Sequence, residues 1–492
     1  MRIGSKEMKY YIGADLGTSA IKLLLVNEIG EVIKEVSKSY PLYSPSFNYS
    51  EQNPIDWWNA FKEGVKSLIN GIDKEDIKGL SFGGQMHGLV ILDEQGEVIR
   101  PCILWNDGRS VKETEYLNNE IGKEFLVENT GNFAFAGFTL PKLLWVKNNE
   151  VENFNKIKMI LLPKDYLTYR LTGLYVTDYS DAAGTLYLDV KNKKWSKNMC
   201  DLAGISENVL PKLKESYEEV GPILDDVAEE LGLSKDIVIA AGAGDNAASA
   251  IGMGVSKNGA CNISLGTSGT IFVSMDNFAK DKDIPLHSFN HANGKYHLMA
   301  CILTAASANM WWRESILNTD YKELSELTLE DLGNNDVYFL PYLSGERCPH
   351  NDVDISGAFI GLRHTTRQID MSIAVLEGVS YALNNCLDLI RDKGVEIKEV
   401  TLCGGGTKSK IWPHMIANIL NVKVNFMQTE QGPGYGAAIL SMVASNLYKD
   451  VDSAIAALIK QTNSIEPIQE LMDKYKDKYQ KYLSIYPNLK NI

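Results

Sequence analysis

The chain has 492 residues, 45% of them hydrophobic and 23% charged, with 49 Lys and Arg against 63 Asp and Glu and a net charge of −14. At about 100–200 residues per domain this is a protein of several domains, and the composition excludes a disordered, collagen-like or coiled-coil chain. So acidic a surface disfavours nucleic acid and anionic membrane as partners, and a bound polyphosphate would need a local device: backbone N–H groups, a helix N-terminus or a metal ion. The seven cysteines are scattered and form no C-x-x-C, which reads as free thiols in a reducing cytosol. MRIGSKEMKYYIG carries no apolar signal-peptide core. The longest weakly polar run, Val238–Val255, holds Asp245 and Asn246 in its middle, so no membrane-spanning segment is expected and the expected location is the cytoplasm.

In chain order, Tyr10–Asp15, Ile21–Val26 and Val32–Tyr40 read as three short strands joined by tight turns, an antiparallel meander. Helices then alternate with strands. Pro54 opens a helix whose Trp57, Trp58, Phe61, Val65, Leu68 and Ile69 recur at helical spacing. Strands are predicted at Ile77–Phe82, Lys158–Leu162 and Asp236–Ala241, the first running into Gly83-Gly84. The second half restarts in the same style, with strands at Ala260–Leu265, Thr270–Ser274 and Tyr296–Leu303. Helices follow at about Ala305–Ile316 and Ile369–Lys393, then a strand Glu399–Cys403, a helix from Ser409, a strand Val422–Phe426 and a helix near Gly434–Ala444. Past Asp450 the tail reads as helical. The phrase Leu-Gly-Thr-Ser stands at Leu16–Ser19 and again at Leu265–Ser268, each time between two strands and at the opening of one half. An internal duplication of one α/β unit, with its boundary near Val255–Asn258, explains this placement; two ordinary hairpin turns would give the same letters.

The chemistry has few places to sit. No G-x-x-x-x-G-K-[ST] occurs, so a P-loop is out. Gly242–Ala247 fits G-x-G-x-x-A, but the stretch Lys257–Met275 lacks the acid that a dinucleotide ribose needs, and Asp245 inside the loop would repel a pyrophosphate. The two Leu-Gly-Thr-Ser turns are the better phosphate device, since glycine lets the backbone approach and the hydroxyls can donate. Asp15, beside the first turn, then needs an intervening cation such as Mg²⁺, or is only an Asx-turn acid. Asp245 follows a strand and precedes a helix, where open α/β sheets place ligands. It can be a general base for a substrate hydroxyl or a helix N-cap, and both stay open at this point. In Gly83-Gly84-Gln85-Met86-His87-Gly88 the Gln and His can hydrogen-bond a polyol and the Met can wall it. Trp105 can stack on a sugar or pack between subdomains. Cys403-Gly404-Gly405-Gly406 offers flat backbone to a nucleoside, or is a plain βα turn.

Taken together, these stretches resemble the FGGY family of carbohydrate kinases. The resemblance runs from about Tyr10 to Ala444 and is carried by IGADLGTS (Ile12–Ser19), GGQMHG (Gly83–Gly88), LWNDGR (Leu104–Arg109) and GFTLPKLLWV (Gly137–Val146). LLPKDYL (Leu161–Leu167), SDAAGT (Ser180–Thr185), GDNAA (Gly244–Ala248), SLGTSG (Ser264–Gly269), FLPYLSGER (Phe339–Arg347), GAFIGL (Gly357–Leu362) and GGG (Gly404–Gly406) follow in family order. It implies an α/β fold of two ribonuclease-H-like domains of the actin and hexokinase type, with the active site in a cleft between them. The corresponding division is a sugar-binding domain at 9–255, an ATP-binding domain at 256–449 and a helical tail at 450–492, the tail being available for packing or for homodimer contacts. The implied reaction is ATP-dependent, Mg²⁺-assisted phosphorylation of a sugar's terminal hydroxyl. In that pattern Asp245 matches the general base and Asp15 the acid that positions the metal. Thr18, Ser19, Thr267 and Ser268 match the phosphate-gripping hairpins, and Gly405, Gly406 and Ser409 the adenosine side. Met86 and His87 match the pair that contacts the sugar, with Asn246 beside it. The Gln-Met-His-Gly phrase implies D-xylulose as the acceptor, since the family's glycerol-specific members carry an Arg-Glu-Thr segment there. Ribulose, glycerol or gluconate are the alternatives within the family, and a non-catalytic actin-like ATP-binding module is the alternative outside enzymes.

Overall fold

The computed structural model describes residues 8–283, 285–318, 326–428 and 431–490. The chain forms two compact units, Met1–Ser256 with Ser288–Tyr296 and Thr429–Ile459, and Lys257–His287 with His297–Gln428 and Lys460–Ile492. All seven cysteines are free thiols.

In the first unit the meander is present as β1 (Tyr10–Leu16), β2 (Ala20–Asn27) and β3 (Val32–Ser39). β1 and β2 pair antiparallel and the hairpin closes at Leu16 opposite Ile21. α1 (Pro54–Leu68) begins with proline after an extended Asn53 and buries the predicted face of Trp57, Trp58, Phe61, Val65 and Leu68. β4 (Ile77–Gly84) runs parallel to β1, so that Asp15 lies opposite Gly83. After the helices α2 (Thr139–Asn149) and α3 (Pro163–Thr172), two short strands, β5 (Val238–Ile239) and β6 (Ala243–Gly244), pair parallel with β4. The strand expected over 236–241 is thus only two residues long, because the chain must turn through Gly242 at φ +80° to bring β6 onto the end of β4. α4 (Asp245–Gly252) follows at once. The six-stranded sheet has the order β5-β4-β1-β2-β3, with β6 on the end of β4.

In the second unit β7 (Cys261–Leu265) and β8 (Gly269–Met275) make the second hairpin, and β9 (Tyr296–Ile302) follows. α5 (Gln368–Arg391) is, among the described residues, the one helix long and apolar enough to cross a membrane, but most of it is buried in this unit's core. β10 (Glu399–Cys403), α6 (Trp412–Leu420) and β11 (Lys423–Met427) complete the alternation. The strand order is β9-β8-β7-β10-β11. That is third, second, first, fourth, fifth, as in the first unit, with the first and fourth strands parallel in both. The repeated Leu-Gly-Thr-Ser is therefore the same hairpin in two copies of one fold.

α7 (Gly432–Ala444) belongs to the first unit and lies on the face of its sheet opposite α1. Burial on both faces explains why Leu23, Leu24, Leu25 and Val26 form a continuous apolar run. α7 comes so close that a Cβ at Gly13 would stand 1.8 Å from Gly434 O, and one at Gly436 the same distance from Ala248 O of α4. In the tail, β12 (Gln461–Ile465) pairs with β11, a strand that the polar QTNSI does not reveal by alternation. α8 (Gln469–Leu489) then buries Leu471, Tyr475, Tyr479 and Tyr482. Two of those tyrosines bond carboxylates of α5, Tyr475 to Glu377 at 3.0 Å and Tyr479 to Asp388 at 2.8 Å.

Candidate active site

The first unit gathers its site at the carboxyl ends of β1, β4 and β6. Asp15, near the end of β1, is half-buried. Asp245 is the first residue of α4; the N-cap place is taken by Gly244 in extended conformation, so the capping alternative does not describe it. Its Oδ1 accepts from the Asn246 backbone N–H at 2.7 Å and from Asn246 Nδ2 at 3.0 Å, which leaves Oδ2 outside these bonds. Burial pushes the Asp245 carboxyl up to about 6. Burial and then the Asp245 charge push Asp15 up to about 7. Two carboxylates raised together in one unit form a locus that a cation would relieve.

Met86 and His87 leave β4 beside this locus. Met86 is buried, and a Cβ at Gly244 would touch its sulfur at 2.8 Å, so the residue before Asp245 and the sulfur are neighbours. His87 adopts φ +70°, its Nδ1 lies 2.9 Å from Gly184 O, and its ring stacks on Phe138 at 4.8 Å. A side chain at Gly184 would strike that ring at 2.3 Å. The first hairpin is tied in by a chain that the sequence did not show. Trp105 Nε1 donates to Thr18 Oγ1 at 3.0 Å, Thr18 Oγ1 donates to Gln85 Oε1 at 3.2 Å, and Gln85 Nε2 donates to Gln52 Oε1 at 3.0 Å. Trp105 is thus no core tryptophan; it is 46% exposed and its indole N–H is spent on the hairpin. Ser19, by contrast, is exposed.

Two buried lysines support this floor, and neither was visible as functional in the sequence. Lys164 pairs with Asp165 at 2.7 Å and Asp178 at 2.9 Å, with Asp181 at 3.7 Å. Asp178 accepts from Ser180 Oγ, which in turn accepts from the Gly244 N–H at 3.1 Å, so the cluster reaches the backbone just before Asp245. Burial raises Asp181 well above the usual carboxylate range, with the charges of Asp165, Asp178 and Asp245 adding to the effect. Lys142 donates to His87 O at 2.9 Å and to Gly137 O at 2.6 Å. Burial pushes its ammonium down to about 7.

The second unit holds a pocket of about 510 Å³ lined by Thr267, Ala306, Ser307, Met310, Arg313, Gly405, Gly406, Lys408, Ser409 and Trp412 among others. It brings together four of the five residues expected there, Thr267 from the hairpin and Gly405, Gly406 and Ser409 from the turn after β10. Ser268 lies outside the lining and bonds the Cys301 side chain. A Cβ at Gly405 would meet nothing within 4 Å, so its backbone is open to a flat ligand. The wall formed by Ala306, Met310 and Arg313 was missed, because an apolar helix start carries no motif. The duplication relates the two sites. Each follows the fourth strand of its copy beside the hairpin, Gly83 being opposite Asp15 in one and Cys403 opposite Ser264 in the other. Only the first copy has an acid on its hairpin strand.

Comparison with known proteins decides the family. The N-terminal domain profile of the FGGY family of carbohydrate kinases matches residues 10–252, and the C-terminal domain profile matches 261–445. The chain belongs to the FGGY family of carbohydrate kinases. It is a sugar kinase of two ribonuclease-H-like domains that uses ATP and a small sugar substrate. It is 38% identical to the xylulose kinase of Bacillus subtilis over 490 residues, which is 99% of this chain and 98% of that protein. A solved structure from Brucella ovis, described as a xyloylose kinase, superposes with a TM-score of 0.93 at 39% identity, covering 98% of this chain and 99% of that one. The gluconate kinase of Lactobacillus acidophilus also superposes, with a TM-score of 0.92 at 28% identity, covering 98% of each chain. The FGGY scaffold thus carries more than one acceptor sugar.

Proposed function

We propose that this FGGY kinase transfers the γ-phosphoryl group of ATP to the terminal hydroxyl of D-xylulose, giving D-xylulose 5-phosphate and ADP. The observation that carries the reading is Asp245, a carboxylate next to Met86 at the end of the parallel strands, with one oxygen fixed by Asn246 and the other outside those bonds. Phosphoryl transfer asks the protein for position and charge, and for one group to orient the nucleophile and take its proton. Asp245 is that group. Met86, His87 and Asn246 hold the ketose. Near-full-length likeness to proteins named xylulose kinase supports D-xylulose over ribulose, glycerol or gluconate. ATP lies against Gly405, Gly406 and Ser409, with Thr267 and Ser268 of one hairpin and Thr18 and Ser19 of the other serving its phosphates.

The residues fit a magnesium ion that arrives with the nucleotide. Asp15 carries a carboxylate raised by burial and then by a like charge, and no group of three or more His, Cys, Asp or Glu among the described residues could cage a metal alone. Asp15 would hold the ion largely through water. When bound, Mg²⁺ offsets charge on the β- and γ-phosphates. The first unit carries the sugar role and the second the ATP role; the division expected at 9–255, 256–449 and 450–492 differs from these units, since Ser288–Tyr296 and Thr429–Ile459 fall in the first and Lys460–Ile492 in the second. The location that we infer is the cytoplasm, and the assembly is a homodimer, which sedimentation of the purified chain would measure.

The test is ADP release from Mg-ATP across pentuloses, hexuloses, glycerol and aldonates. D-xylulose is expected to give the highest kcat/KM. A preference for another sugar would retain the kinase and replace the acceptor. Nucleotide binding with no sugar-stimulated release would support the non-catalytic module.

A further inference from the structure

His87 adopts φ +70°, in the left-handed region that few non-glycine residues occupy, and both its ring and its carbonyl are held. On the ring side, Nδ1 lies 2.9 Å from Gly184 O. A carbonyl oxygen only accepts, so in this contact Nδ1 carries the hydrogen and the ring is fixed in one orientation. The ring face rests on Phe138 at 4.8 Å, with Phe289 edge-on at 6.2 Å. On the backbone side the His87 carbonyl accepts two bonds, from Lys142 Nζ at 2.9 Å and from Thr139 Oγ1 at 3.1 Å. Phe138, Thr139 and Lys142 are the N-cap and first turn of one helix, α2. One helical turn therefore grips both the ring and the carbonyl of a single residue.

Lys142 is fully buried, and among the described residues it makes no ion pair with a carboxylate. Burial disfavours its charge and the Asp107 carboxylate offsets this from beyond ion-pair distance, so the contacts that place the side chain are its hydrogen bonds. Its two bonds both go to backbone carbonyls, of His87 and of Gly137, and the second fixes the approach to the same turn.

We propose that Lys142 is the positioning residue for the sugar-contacting histidine, setting the place of the His87 imidazole and with it the affinity for the acceptor sugar. The proposal rests on the reading of His87 as a sugar contact. Lys142 touches neither sugar nor nucleotide and acts through the His87 main chain, with Thr139 as its lesser partner.

The experiment compares Lys142→Met, Thr139→Val, His87→Ala and the double variant Lys142→Met/His87→Ala in the full chain. Initial rates are taken with D-xylulose and ATP varied in turn, and the first unit's melting transition, measured by calorimetry for each variant, serves as the folding control. Lys142→Met is expected to raise KM for D-xylulose about tenfold, with KM for ATP and kcat within about twofold of wild type. Thr139→Val, the milder change, is expected to move the same constant in the same direction by less. In the His87→Ala background the Lys142 substitution should add little, since the residue through which it acts is gone. A Lys142 effect that adds in full to that of His87→Ala, or that falls equally on both substrates, overturns the proposal, as does an unchanged sugar KM in both Lys142→Met and Thr139→Val. If His87→Ala itself leaves the sugar KM unchanged, the sugar-contact reading fails and takes this proposal with it, a result distinct from failure of Lys142 alone.

Discussion

Asp15 and Asp245 show at the level of single side chains what burying two carboxylates in one unit does to stability. Asp15 is raised to about 7 by burial and by the charge of Asp245, against an unfolded value of 3.8. Between these values the folded state binds more protons than the unfolded state, so stability falls as pH rises through that window. With magnesium removed by EDTA, the melting temperature is expected to drop from pH 5 to pH 7.5 in the wild type and to drop less in Asp15→Asn. At pH 7.5 that variant should melt higher than wild type while losing most of its turnover. A lower melting temperature would mean that the Asp15 charge is stabilising. Asp245 was legible in the sequence because it follows a short strand and opens a helix, which is a matter of chain order. Lys142 and Lys164 were not legible as functional, since their motifs show neither that they are buried nor what they bond. Only the tertiary structure shows Lys164 enclosed by Asp165, Asp178 and Asp181 and Lys142 set on two carbonyls.

At the scale of elements, the placement of Asp245 depends on how closely three elements approach. α7 lies against β1 at Gly13 and against α4 at Gly436. Gly436→Ala puts a methyl group 1.8 Å from the Ala248 carbonyl oxygen, so α4 must shift or α7 must lift. Overpacking of this kind costs about 1–3 kcal/mol or more. Gly436→Ala is therefore expected to lower the melting temperature of the first unit and to reduce kcat, because Asp245 rides on α4, while ADP affinity at the second unit stays unchanged. Calorimetry with an ADP titration measures both. The longer strands and the helices α1, α5 and α7 were readable from periodicity and turn residues, while α2, α3 and β6 were not predicted. β12 was not, because Gln461, Thr462, Asn463 and Ser464 are polar and their strand conformation comes from pairing with β11. The helix expected at about Ala305–Ile316 is present over Ala306–Trp311, but its widening to a π-helix over Trp312–Leu317 was invisible to a pattern of period 3.6.

For the whole molecule, the duplication is the main economy. One fold appears twice, and the stretch after its fourth strand has become Gln-Met-His in one copy and Gly-Gly-Gly in the other. Sugar and nucleotide should then protect different parts of the chain. In hydrogen exchange, D-xylulose alone is expected to slow amides near 83–88 and 245–247, and ADP alone those near 404–410 and 306–313. Protection of the glycine turn by sugar alone would reverse these roles. The fold family was legible because the motifs run in order along nearly the entire chain. The proposed acceptor rests in the sequence on the Gln-Met-His-Gly phrase alone, since the same scaffold in Lactobacillus acidophilus serves a gluconate kinase.

The most direct test of the central claim is the single-turnover rate of Asp245→Asn with saturating D-xylulose and Mg-ATP. The substitution keeps size and one oxygen to accept from Asn246, but its amide nitrogen donates where the other oxygen accepted and cannot take a proton. The account predicts a rate lower by about 10²–10⁴-fold, with sugar and nucleotide still bound. A rate within a few fold of wild type would contradict it.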